Sequence, residues 1–205
     1  MSQDPRARAA ASLRRLGHAL MAHDAGDDLL ERVADAADRV ATDLEHAPER
    51  TRDLLELKRR MFDAEVPDGA RVVHFDECFV SGPFNPMGIA IEVRRAGDEA
   101  VADVEIGPAF EGAPSRSHGG IVAAIFDDVL GYLLTLRQEP AFTGELTIRY
   151  LAATPIRERL EFRGRVVGSE GRKLFTEGEA TTADGEVVAR ATATFVLIDM
   201  SRLRP

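Results

Sequence analysis

The spacing of apolar residues along the chain divides it into three stretches. Up to about Phe62 the period is that of a helix: Leu29, Leu30, Val33, Ala37, Val40 and Leu44 recur three and four positions apart among Glu31, Asp35, Asp38, Arg39 and Asp43, as on one apolar helix face. A second run, Leu54, Leu55, Leu57, Met61 and Phe62, follows a break near Ala47 and Pro48. The spacing therefore predicts two or three helices from Asp4 onward, a hairpin or arm lying on the main body or on another subunit. A solvated, charged extension is the alternative. Val66-Pro67-Asp68-Gly69 reads as a turn, which divides the chain into a helical extension, 1–68, and a main domain, 69–205.

Beyond that turn the period becomes two. Residues 71–80, 88–95 and 100–106 are short runs rich in β-branched residues, separated by Ser81-Gly82-Pro83 and Ala96-Gly97-Asp98, and are predicted to be antiparallel strands. The same grammar returns at 145–151, 159–167, 173–181 and 186–198. In the last of these Val187, Ala189, Ala191, Ala193, Phe195 and Leu197 share one face and Arg190, Thr192 and Thr194 the other, so one side packs inward. Its small alanines imply the close approach of something bulky.

Between the two sets of strands lies the third stretch. In 121–136 the only charges are Asp127 and Asp128, and apolar residues run nearly all the way round, the pattern of a helix covered on most sides. At about 1.5 Å per residue it is expected to be roughly 24 Å long, too short and too charged to span a membrane. A mostly antiparallel sheet wrapped around one apolar helix, an α+β fold, follows because each needs an apolar partner and no other helix of the main domain supplies it.

Composition narrows the function. A formal charge of −9 and a pI near 5.1 argue against a general nucleic-acid or anionic-membrane binder, so any anion site must be made locally. The single cysteine, Cys78, excludes an internal disulfide framework and any multi-cysteine zinc site. A cytoplasmic location is the expectation. Arg6, Arg8, Arg14 and Arg15 among alanines bear a faint likeness to a transit peptide, but no apolar core precedes them and Asp4 is out of place.

Candidate chemistry sits at the central helix. Gly119 and Gly120 fall where it begins, and glycine leaves the first backbone N–H groups open. Those donors lack intrahelical partners and, with the positive end of the helix dipole, can hold an oxyanion or a polarised carbonyl. Asp127 lies nine residues after His118. Its neighbours three and four positions away, Ala123, Ala124, Leu130 and Gly131, are mostly small and leave room for a ligand. Such a carboxylate can act as a general base on water or as a nucleophile on a carbonyl carbon. Asp128 is the competing candidate, expected to pair with a basic residue or face water.

Ser117-His118-Gly119-Gly120, the apolar helix with Asp127, and Thr143-Gly144-Glu145-Leu146-Thr147-Ile148-Arg149-Tyr150 with Pro155 resemble the PaaI-type hotdog acyl-CoA thioesterases. The run from Cys78 through Asn85 and Pro86 to Gly88 is similar to a segment of the branch that includes human thioesterase superfamily members four and five. The resemblance spans about Val72 to Ile198. It implies a hotdog fold and hydrolysis of acyl-CoA by a homodimer or dimer of dimers, with the active site at the subunit interface and no cofactor or metal. It also implies that Gly119 polarises the thioester carbonyl, that Asp127 of the other subunit is base or nucleophile, that Thr143 helps place water, and that His118 shapes the loop. Gly120, Ser117 and Asn85 are candidates for substrate contact, although Asn85 and Pro86 equally suit a turn. The position where many relatives carry Asn or Gln is Gly112, so Ser115, Arg116 or Ser117 is expected to replace that contact unless this branch dispenses with it.

His74 and Cys78 alternate with Asp76 but lack a third ligand, so no metal is assigned. Arg149, Arg157, Arg159, Arg172 and Lys173 could meet coenzyme A phosphates, though none stands out from ordinary solvated residues. Two other functions compete. A hotdog dehydratase or hydratase would need a different histidine motif that is absent here. A non-catalytic acyl-CoA sensor would have no use for a costly carboxylate at 127.

Overall fold

The computed structural model describes residues 4–72 and 74–199, with the backbone only at Leu54, Leu55, Lys58 and Val72. Three helices come first: α1 (Pro5–Ala22), α2 (Asp27–Glu45) and α3 (Leu54–Arg60). The Asp4 carboxylate accepts from the Arg6 and Ala7 N–H groups, and Pro5 at the start of α1 has no N–H to satisfy. Residues 23–26 separate α1 from α2, a break the apolar spacing did not mark. The arm lies on the main body through α1. The Arg14 guanidinium donates to the carbonyls of Pro83 and Asn85 at 3.2 and 2.6 Å, and the Ala109 N–H donates to His18 Nδ1 at 3.1 Å. A side chain at Gly107 would put its Cβ 2.4 Å from the His18 ring, so glycine is what lets α1 settle there. By contrast α2 buries no residue, and Leu29, Leu30, Val40 and Leu44 of its apolar face are exposed.

Among the described residues seven strands make one antiparallel sheet: β1 (Arg71–Val72), β2 (Glu92–Ala96), β3 (Glu99–Glu105), β6 (Ala141–Tyr150), β7 (Arg159–Glu170), β8 (Lys173–Thr182) and β9 (Val187–Leu197). Their order across it is β1-β2-β3-β7-β8-β9-β6. A small hairpin, β4 (Glu111–Ala113) with β5 (Arg116–Ser117), follows a 3-10 turn at Pro108–Phe110 and leads into α4 (Gly119–Arg137). The sheet packs around α4, which touches β2, β3, β6, β7, β8 and β9. The alternation expected of the last strand is present, with Ala189, Ala191, Ala193 and Phe195 buried and Arg190 and Thr192 exposed.

Close approach of α4 to the sheet depends on small residues. Gly164 of β7 pairs with Gly178 of β8, which pairs with Ala191 of β9. A Cβ at Gly164 would lie 2.7 Å from Leu130, and one at Gly178 would lie 3.3 Å from both Leu130 and Phe126. Leu130 thus fills a dent that only glycine provides, and full burial of such a side chain contributes about 1.5–3 kcal/mol. Phe126 meets Phe162 edge-on, with centroids 5.0 Å apart.

Two expectations need correction. The strand foreseen at 71–80 is limited among the described residues to Arg71–Val72, Val73 lying outside them, and the one foreseen at 88–95 begins at Glu92. Between them the chain turns on itself: the Cys78 N–H donates to the Phe75 carbonyl, Gly82 to Cys78, and Phe84 to Asp76. The cluster of Gly82, Pro83, Asn85 and Pro86 extends further back than the β-branched pattern suggested. The central helix begins at Gly119, where the paired glycines were expected to open it, and runs to Arg137. It is not too short and too charged to span a membrane, since by length and hydropathy alone it is adequate to cross one. In this fold it is the core helix, with 56% of its most apolar window buried.

Candidate active site

Two clefts flank α4, one at its N-terminal turn and one beside Asp127. At its start His118 is the N-cap, and its Nδ1 accepts the Gly120 N–H at 3.0 Å. With Nδ1 an acceptor, the ring proton of a neutral His118 is on Nε2, facing outward from an exposed side chain. Gly119 occupies the first helical position, so no carbonyl one turn earlier can bond its N–H within the helix. Tyr150 of β6 donates its hydroxyl to the Gly119 carbonyl at 2.7 Å. A Cβ on Gly119 would sit 3.0 Å from the Tyr150 hydroxyl oxygen, so a side chain there would have to displace the tyrosine. The loop is anchored from both directions, His118 N–H to the Phe110 carbonyl at 2.8 Å and Ser117 N–H to the Thr154 carbonyl at 2.9 Å. A hollow of about 330 Å³ opens beside it, bounded by Arg116, Ser117, His118, Gly119 and Tyr150 among others.

Position 112 has a steric explanation. A Cβ on Gly112 would lie 2.6 Å from His118 Cα, so the backbone that would carry an Asn or Gln is pressed against the motif histidine. Among the residues considered as substitutes, Arg116 and Ser117 line the hollow. The Ser117 hydroxyl donates to the His118 carbonyl at 3.2 Å, and the Ser115 N–H donates to the Glu111 carboxylate. Asn85 lies in the loop that receives Arg14: its amide donates to the Glu77 carbonyl at 3.1 Å and accepts from the Met87 N–H at 2.9 Å. Its side chain is spent on holding a turn.

Eight residues into α4, Asp127 is exposed and accepts the Thr143 hydroxyl at 2.9 Å. Thr143 lies sixteen positions further along the chain, beside a bulge in β6 where the pairing with β9 skips from Thr143 to Glu145. Such a bulge re-aims a side chain, here toward the carboxylate. Asp127 and Thr143 face a cleft of about 290 Å³ with apolar walls that include Leu57, Phe62, Phe75 and Phe142.

Asp128, one residue on, points elsewhere and is 9% exposed. The Cys78 thiol donates to its Oδ1 at 3.3 Å, and His74 Nδ1 lies 3.4 Å from the same oxygen. The His74 ring stacks on Tyr132, centroids 3.5 Å apart and planes 8° from parallel, while the Tyr132 hydroxyl accepts from the His74 N–H and donates to Ser81. Burial, reinforced by the Asp128 charge, pushes both the Cys78 thiol and the Tyr132 phenol above their usual ranges. Asp128 Oδ2 and His74 Nε2 are buried without a partner among the described residues. Sequence reasoning foresaw a basic partner or water for Asp128 but not this cluster. The alternation of His74, Asp76 and Cys78 suggested a strand, whereas a turn delivers His74 and Cys78 to one carboxylate.

An antiparallel sheet packed around one long helix, with a His-Gly-Gly turn at its start, defines a hotdog protein, here preceded by a helical region. Residues 116–189 match the family model of the thioesterase superfamily. It is similar to acyl-coenzyme A thioesterase THEM4 of Xenopus laevis, 31% identical over 91 residues, 44% of this chain and 41% of that protein. It is also similar to acyl-coenzyme A thioesterase THEM5 of Mus musculus, 30% identical over 95 residues, 46% of this chain and 38% of that protein. The chain thus spans about two fifths of the length of the curated relatives it matches. A solved thioesterase superfamily protein superposes with a TM-score of 0.79 at 29% identity, covering 95% of this chain and 92% of that one, so the likeness takes in the helical region as well as the sheet.

Proposed function

We propose that the protein hydrolyses acyl-coenzyme A thioesters to the free acid and coenzyme A, in a homodimer whose active sites are built from both subunits. The observation that carries this reading is the pairing of Asp127 with Thr143 at 2.9 Å in an apolar cleft, within the residues that match the thioesterase superfamily, in a chain whose curated relatives are named acyl-coenzyme A thioesterases.

The chemistry follows from what each group can do. The Thr143 hydroxyl holds one oxygen of Asp127, leaving the other to take a proton from water or to attack the carbonyl carbon itself. The Gly119 N–H donates to the carbonyl oxygen as it gains charge, and His118, by accepting the Gly120 N–H, holds the helix start in place. When Asp127 activates water, the C–S bond breaks, the thiolate leaves with the electron pair and takes up the proton, and the acid keeps the water oxygen. When Asp127 attacks directly, the departing thiolate leaves an acyl anhydride on Asp127, which a water molecule then hydrolyses to the free acid and the carboxylate.

Distance supports the second subunit. Eight helical residues separate Gly119 from Asp127, about 12 Å at 1.5 Å each. A carbonyl in contact with a hydrogen-bond donor and an attacking group needs both within about 3–3.5 Å of its atoms. A separation of that size along one helix supports a site in which the donor and the carboxylate come from two copies of the chain. Strand β6 ends the sheet with a ten-residue edge, and most of it is exposed, a surface suited to a strand of another subunit.

The test is thiol release from a panel of short, long and aromatic acyl-CoAs, with Asp127→Asn beside the wild type. Turnover is expected to drop by about 10² to 10⁴ in the variant, the range for a positioned acid–base group. Saturable binding without hydrolysis by either protein would instead favour an acyl-CoA sensor.

A further inference from the structure

The wall of the Asp127 cleft that faces away from α4 is supplied by the helical region. Leu57, Met61 and Phe62, from α3 and the turn after it, line the cleft with Asp127 and Thr143. Behind that wall is a second hollow of about 540 Å³, edged by charged side chains that include Arg50, Asp53, Glu56 and Glu77. Four residues border both spaces: Leu57, Met61, His74 and Phe75. The partition is therefore one side chain thick.

Its two halves differ in how firmly they are held. His74 is fixed by the Tyr132 stack and by its contact with Asp128. Leu57 and Met61 stand on and just after a seven-residue helix, too short to be stable alone. That helix is started by the Asp53 carboxylate, which accepts the Glu56 N–H at 2.9 Å. The segment before it is tied to the 74–78 turn by the ion pair of Arg50 with Glu77 at 2.6 Å.

We propose that Leu57 and Met61 determine acyl specificity: they close the far end of the acyl cleft, restricting the enzyme to compact apolar acyl groups. This rests on the hydrolase reading above. A volume of about 290 Å³ is at the lower limit of small-molecule sites, about 300–1,000 Å³, and the space beyond the partition is charged, so a long chain finds neither room nor an apolar continuation. Trimming the two side chains joins the two spaces. Each further methylene sheltered from water adds about 0.8 kcal/mol, about a fourfold gain in affinity.

The experiment measures kcat/KM for butyryl-, octanoyl-, dodecanoyl- and palmitoyl-CoA with the full-length wild type, the Leu57→Ala/Met61→Ala double variant and Leu57→Phe. It is paired with calorimetric binding of the same four thioesters to each protein carrying Asp127→Asn. The double variant is expected to raise the dodecanoyl-to-butyryl ratio at least about tenfold, as two or more extra methylenes are covered, and Leu57→Phe to lower the octanoyl-to-butyryl ratio. Should the double variant fail to fold, the Leu57→Phe arm carries the test alone. Hydrolysis with the same chain-length profile in the folded variants overturns the partition and leaves the hydrolase reading standing. Binding whose length dependence shifts as expected, without hydrolysis by the wild type, upholds the partition and removes the hydrolase reading. Neither binding nor hydrolysis overturns both.

Discussion

Asp127 and Asp128 are successive residues about 100° apart around one helix, and that rotation gives them different chemistry. Asp127 meets a hydroxyl at an open cleft; Asp128 is enclosed with a thiol and an imidazole. Burial first, and the Asp128 charge second, disfavour the Cys78 thiolate, which is the form that reacts. Iodoacetamide near neutral pH is therefore expected to label Cys78 more than about tenfold more slowly in the native protein than in denaturant. Complete native labelling within minutes would contradict the enclosed geometry. The contrast between the two carboxylates was only partly legible in the sequence. Small neighbours at Ala123, Ala124 and Gly131 singled out Asp127, and Thr143 came through resemblance. The His74 contact joins residues 54 apart through a turn, and no local period registers a contact of that kind.

At the scale of elements, legibility followed the strength of the local pattern. Long runs of one period, α4 and β7 to β9, were recognisable because their apolar residues repeat over many positions. The 74–91 loop was misread because short β-branched stretches and turn residues compete there, and hydrogen bonds such as Phe84 N–H to the Asp76 carbonyl settle the outcome. The docking of α1 was open between the body and another subunit. It depends on His18 accepting from Ala109 through an unprotonated Nδ1. Desolvation, then the nearby Arg14 charge, lowers the His18 pKa in the folded protein. Between that lowered value and the ordinary value of about 6.5, the unfolded chain binds the more protons, so stability falls as pH drops through this window and is fully present above it. Acidification from about pH 7.5 to about 5.5 is expected to speed hydrogen exchange at the Ala109 amide relative to the intrinsic rate at each pH. In His18→Gln this pH dependence should be lost. Protection that is unchanged across the range in the wild type would mean the imidazole does not hold the arm.

For the whole molecule, the 12 Å separation along α4 has a consequence that mixing experiments can read. Asp127→Asn disables the carboxylate half of every site it enters. Gly119→Val disables the other half, since even a Cβ there would meet the Tyr150 hydroxyl at 3.0 Å and the larger side chain covers the first N–H. In a two-fold dimer with shared sites, a mixed pair places both defects in one site and leaves the other wholly wild type. Random pairing of equal amounts makes half the dimers mixed, and each keeps one of two sites. Co-refolded or co-expressed variants should therefore regain roughly a quarter of wild-type turnover, although each alone is nearly inactive. A mixture no more active than its components would show that each site draws its donor and carboxylate from one chain. Recovery at the expected level would also support a role for β6 in the proposed dimer, since this exposed edge strand carries Thr143 beside Asp127.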